Sequence, residues 1–191
     1  MKKLVLLPVY LILLSGCSMK TGKADFNENE KNIFFKIEDF NEFLDKNFQG
    51  SSDEASFFSF IIPFSGIRVY TYELNYGRNQ NEFYIQNSVI VTEKKGMKPV
   101  SAGKNFFSAF KKKKIELAEI SELPDINAKI YTLSINGSLL GNFIIYDKGN
   151  FSGAVTISGI CFDEENVYLL ENLVKQKVYA VFLLEKHRNN E

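Results

Sequence analysis

The dipeptide Asn136-Gly137 constrains this chain more than any other local feature. It separates two strand-like segments, 129–135 and 138–146, both rich in apolar and β-branched or aromatic residues. A two-residue hairpin turn of type I′ needs positive φ at both central positions, and asparagine followed by glycine tolerates this best. Residues 129–146 are therefore expected to form an antiparallel hairpin. A turn over 147–150 and an apolar stretch over 151–160 extend it into a three-stranded meander.

The remaining signals add hairpins and helices without a regular βαβ alternation. Residues 67–76 set Ile67, Val69 and Thr71 against Arg68, Tyr70, Tyr72 and Leu74, which suits a strand with both faces in use. A turn over 77–81 leads into 82–93, where Phe83, Ile85, Val89 and Val91 mark the returning strand. Residues 33–37 are expected as a short strand, 49–53 as a loop and 115 onward as a strand broken at Pro124-Asp125. Periodicity leaves 56–64 undecided between helix and strand. Helical spacing appears over 38–48, over 101–112 with Phe106, Phe107 and Phe110, and over 164–176, where Asp163 is the expected N-cap and Val167, Leu170 and Val174 the apolar face, with Leu169 and Leu173 beside it. Residues 178–184 are expected to close the domain as a strand. The fold class is α+β, a mainly antiparallel sheet of hairpins and meander with two or three helices packed on it.

Composition bounds what such a domain does. With 191 residues, 18 Phe, nine Tyr and no Trp, the chain has enough bulky apolar area for a core without disulfide or metal staples. Its 45% hydrophobic and 24% charged residues exclude collagen, coiled-coil and low-complexity classes. Lys plus Arg equals Asp plus Glu at 23 each, so the basic excess that holds a nucleic-acid backbone is missing and nucleic acid is not an expected partner.

The N-terminus carries the most specific functional signal. Lys2 and Lys3 precede an apolar run over residues 4–14, and Leu14-Ser15-Gly16-Cys17 follows directly. That order is a secretory segment, and the run is about half the roughly twenty residues a membrane-crossing helix needs. Leu14, Ser15, Gly16 and Cys17 resemble the lipobox of bacterial lipoproteins. The resemblance covers about the first seventeen residues. It implies cleavage before a diacylglyceryl-modified Cys17, a signal peptide over 1–16, and attachment to the membrane through palmitate-type acyl chains without spanning it. It also implies, with Ser rather than Asp at position 18, delivery to the outer membrane facing the periplasm in a Gram-negative cell. Removal of Lys2 and Lys3 leaves a formal charge near −2, and Cys161 becomes the one remaining thiol. Residues 17–31 are expected as the acylated cysteine and a flexible tether, and 32–191 as one globular domain.

Catalytic constellations are scarce. The one His, His187, stands in the polar C-terminal tail, which makes it a poor general base for Cys161 or for any serine. Cys161 ends an apolar strand and is expected as a small buried hydrophobe. Metal ligation by His and Cys fails on count, phosphate-binding glycine motifs are missing, and no cofactor is expected. Glu116, Glu119, Glu122 and Asp125 lie within ten residues and form the one group able to supply an acid and a base, although this spacing more commonly marks a solvated strand edge.

Two features suggest contact surfaces. Lys111, Lys112, Lys113 and Lys114 end the second helix, where cations complement its dipole and can also attract acidic headgroups or an acidic partner. Tyr70, Tyr72 and Tyr76, with Arg68, either pack on a sheet face or form an exposed binding patch, packing being the preferred reading. The expected role is a lipid-anchored envelope protein that binds another protein without catalysis. In size and anchoring the chain resembles the immunity proteins that guard an envelope against toxins from neighbouring bacteria. An envelope-assembly or stress-linked lipoprotein is the alternative, followed by a hydrolase using Glu116 with Glu119 or Asp125.

Overall fold

The computed structural model describes residues 20–23, 30–42, 44, 51–52, 56–61, 65, 67–77, 83–93 and 101–188. Among them nine strands build one sheet, and every ladder in it is antiparallel. The strands are β1 (Lys20–Lys23), β2 (Ser51–Ser52), β3 (Ser56–Ile61), β4 (Arg68–Gly77), β5 (Tyr84–Thr92), β6 (Glu116–Leu123), β7 (Ala128–Ile135), β8 (Ser138–Lys148) and β9 (Phe151–Ser158). Their order is β1-β3-β4-β5-β9-β8-β7-β6, with β2 paired to β4. Two α-helices, α1 (Gly103–Lys113) and α2 (Val167–Arg188), and three short 3-10 turns complete the α+β fold. No described helix is long and apolar enough to cross a membrane.

The hairpin at Asn136-Gly137 forms as its turn chemistry demands, with φ of 50° and 78° at the two residues. β7, β8 and β9 are the expected meander, and β4 with β5 the expected hairpin. The undecided stretch over 56–64 contributes β3, paired to β4 from Ser56↔Glu73 to Ile61↔Arg68.

Both faces of the central strands are buried, which explains their nearly continuous apolar sequences. On one face Ile144, Tyr146, Val155 and Ile157 join Tyr72, Leu74, Ile85 and Val89 beneath α2 and residues 33–40. On the other face Phe143 is the hub: the rings of Phe106, Phe107 and Phe110 on α1 lie 5.5, 5.3 and 5.0 Å from it, and Tyr131 lies 6.1 Å away. α1 is tied to the sheet at its start, where the Ala102 N–H donates to Ser152 Oγ at 2.8 Å. It stops at Lys114, which takes φ of 56° and donates its N–H back to Lys111.

Several expectations are corrected. Residues 178–184 are helical, not a strand, because α2 continues to Arg188. Val174, Val178 and Val181 keep the three- and four-residue steps begun by Val167 and Leu170, and all are buried, so packing on the sheet overrides the β-propensity of the valines. Residues 33–37 are not a strand either. Glu30–Ile33 and Ile37–Phe40 are 3-10 turns, and Phe34 and Phe35 between them are fully buried. Asn87 replaces the missing ladder there: its Oδ1 accepts from Phe35 N–H, and its Nδ2 donates to the carbonyls of Phe35 and Leu74. Only the first turn of the helix expected over 38–48 falls on described residues, and Ser51–Ser52 pairs with Gly77 and Tyr76 inside the expected loop.

Part of the segment expected as a tether is drawn into the sheet, since Lys20–Lys23 pairs with Ser59–Ser56. Residues 1–16, Cys17 and the turn residues 78–81 lie outside the described residues.

Candidate functional site

Residues 33–40 and α2 share one face of the sheet, and where they meet the molecule has a groove of about 290 Å³. Its wall on α2 is a pair of leucines one turn apart, Leu169 and Leu173, both half-buried. Its floor is Leu170 with Phe40 and Phe162, whose rings lie 6.2 Å apart. Asp39, Glu42, Asn172 and Gln176 form the rim.

Two polar links hold the floor in place. Asn142, fully buried on β8, donates through Nδ2 to the Phe162 carbonyl at 2.8 Å and accepts from the Phe162 N–H at 2.7 Å. The second link is Lys177. Its ammonium lies 2.7 Å from Asp39 Oδ2 and 5.8 Å from the centre of the Phe35 ring. Burial pulls this ammonium below its ordinary value, against the hydrogen bond and charge of Asp39, which favour the protonated form. Asp39 also accepts from the Lys36 N–H at 2.7 Å, so one carboxylate joins the 3-10 turn to mid-α2. The sequence signal for this pair is a lysine inside the apolar stripe of a helix. Ending that helix at 176 hid it.

The carboxylates singled out from sequence do not gather into an acid and base. Glu119 and Glu122 both reach Lys129 Nζ, at 2.9 and 3.4 Å, on the exposed edge strand β6. Hydrogen bonding to Glu119 raises the Lys129 ammonium above its usual value, which is the behaviour of a surface ion pair. Glu116 pairs in register with Ser134 and Glu119 with Tyr131, an odd number of residues apart, which puts the two on opposite faces. Asp125 is exposed in the 3-10 turn after β6. Among the described residues no three His, Cys, Asp or Glu side chains converge on a metal position.

Cys161 Sγ is half-buried and donates to the Gly141 carbonyl at 3.5 Å. Burial, helped by the Asp163 charge, pushes the thiol above its ordinary value and so away from the thiolate needed for attack. His187 belongs to the last turn of α2, about 30 Å along the helix axis from Val167, whereas Cys161 lies six residues before that helix begins. The two cannot form a dyad.

Of the candidate contact residues, Tyr72 and Tyr76 are buried in the core, and Tyr70 is half-buried and stacks on Tyr72 at 6.4 Å. Burial takes Tyr72 and Tyr76 out of the expected contact patch. Arg68 opens β4 opposite Ile61. Lys111, Lys112, Lys113 and Lys114 are exposed at the end of α1. Sequence reasoning missed the most exposed aromatic groups among the described residues, Tyr168 and Tyr179 at 56% and 63%, which stand three turns apart on the outer side of α2.

No family model matches the chain, and no curated protein or solved structure matches it at a significant level.

Proposed function

We propose that this chain is a lipid-anchored protein of the bacterial envelope that acts by holding another protein, without catalysis. The observation that carries the reading is the N-terminal sequence, in which a charged start and a short apolar run end on Leu14-Ser15-Gly16-Cys17. The geometry of the domain is compatible with it. Glu119 and Glu122 are engaged by Lys129, the Cys161 thiol is held protonated, and the exposed tyrosines of α2 offer rigid amphipathic area of the kind protein interfaces use. Within that role, sequestration of a toxin directed at the envelope is placed first and envelope assembly second.

The test is metabolic labelling with palmitate. The parent chain takes up label and Cys17→Ser does not, because a serine oxygen cannot form the thioether to diacylglycerol and the remaining thiol, Cys161, does not follow a lipobox. Equal labelling and equal processing of the two would overturn the anchor. The non-catalytic role is tested with single Ala replacements of Glu116, Glu119, Glu122, Asp125, Cys161 and His187, each of which should leave the biological effect intact. Loss of the effect in one carboxylate variant that still folds and still holds its partner would replace this reading by a hydrolase.

A further inference from the structure

We propose that the groove between Phe40, Phe162 and α2 receives an apolar side chain from a protein segment that carries lysine or arginine beside it. The inference rests on the protein-binding role above and names the chemistry of the partner.

Size is the first argument. At about 290 Å³ the groove falls at the lower limit of roughly 300–1,000 Å³ for small-molecule sites, so it suits one or two side chains better than a cofactor. Burial is the second. Leu170 and Val174 of α2 are fully buried in the core, whereas Leu169 and Leu173 are only half-covered and line the groove. Apolar area left in a concave place is area that a partner's side chain can remove from water.

Charge fixes the class of partner. Of the charged residues lining the groove, Asp39 and Glu42, both are acidic, and Asp39 is already matched by Lys177. Glu38 stands just before them, and Asp163, Glu164 and Glu165 follow Phe162 directly, all four exposed. The nearest cation on that segment, Lys36, bonds to Asn32 at 3.1 Å. An apolar residue flanked by carboxylates would meet repulsion at this rim, and one flanked by cations would meet attraction.

The experiment uses the lipidated full-length chain in phosphatidylcholine nanodiscs with labelled leucine methyl groups. The probes are acetyl-Lys-Phe-Lys-amide and acetyl-Glu-Phe-Glu-amide at millimolar concentration. The cationic peptide should shift the methyl signals of Leu169 and Leu173 and leave the exposed Leu139 unmoved, while the anionic peptide should shift none of them. Glu42→Lys, on an exposed position that the fold tolerates, should weaken the cationic peptide by about threefold. Equal binding of both peptides, binding of neither, or no effect of Glu42→Lys overturns the proposal. Shifts that appear without peptide and grow with protein concentration overturn it in favour of a second copy in the groove. Palmitate labelling of Cys17 and Ala replacement of Tyr168 and Tyr179 read the anchor and the wider protein-binding role separately.

Discussion

Tyr146 and Gly153 face each other across β8 and β9, and the phenol ring fills the space where a Cβ on Gly153 would lie. Gly153 therefore serves the core as a recess for a large ring in the middle of the sheet.

Gly153→Ala should cost about 2–3 kcal/mol, the usual penalty for overpacking a rigid core. In a Tyr146→Ala background the same change should cost much less, since the ring that occupies the recess is gone. Chemical unfolding of the four chains measures the coupling, and equal costs in both backgrounds would refute the contact.

The Tyr146 hydroxyl is buried and has no hydrogen-bond partner among the described residues. Tyr146→Phe should thus stabilise the fold by about 1 kcal/mol at neutral pH, because it deletes an unsatisfied polar group. Burial also holds the phenol neutral well above its ordinary value of 10.0. Above that value the unfolded chain gives up the proton and the folded chain keeps it, so stability falls with rising pH by about 1.4 kcal/mol per unit through this group. The advantage of Tyr146→Phe should therefore widen in alkali, and a constant difference between the two chains would contradict the assignment.

Lys177 is more deeply buried than Asp39, so the two halves of their bridge are unequal. Asp39→Asn leaves an enclosed ammonium unpaired and should cost about 3 kcal/mol. Lys177→Met leaves a carboxylate that is partly solvated and still accepts from Lys36, and should cost about 1 kcal/mol. Thermal or urea unfolding ranks them, and the reverse order would refute the argument.

The raised Cys161 thiol should react with a soluble disulfide reagent several-fold more slowly than free cysteine at neutral pH, and its rate should climb at higher pH than that of the free amino acid. Fast stoichiometric labelling of the folded chain would show an activated thiolate.

Elements whose signal is local were legible in the sequence. Asn136-Gly137 dictates its hairpin through φ, and Phe106, Phe107 and Phe110 place α1 on the sheet by helical spacing alone. Elements whose state depends on distant partners were not. Lys20–Lys23 is polar and becomes a strand only because β3 offers an edge. Phe35 sits in irregular backbone because Asn87, far away in the chain, bonds both its N–H and its carbonyl, while the Phe34 N–H turns back to the Lys31 carbonyl. The second half of α2 carries a valine-rich sequence suited to a strand, and only the position of the sheet beneath it decides otherwise. The groove depends on both of these segments, so it was invisible before the fold was known.

The ladder between β5 and β9 runs from Tyr84↔Ser158 to Val91↔Phe151 and is the seam that joins β1–β5 to β6–β9. A ribosome delivers β5 well before β9 exists. During synthesis the apolar edge of β5 therefore stays open until the last strand emerges, and long-range closure of this kind is slow and exposed to wrong pairing. The chain is thus expected to need protection as a nascent polypeptide, the β5 edge closing once Ser158 is available and the sheet face above it only when α2 follows.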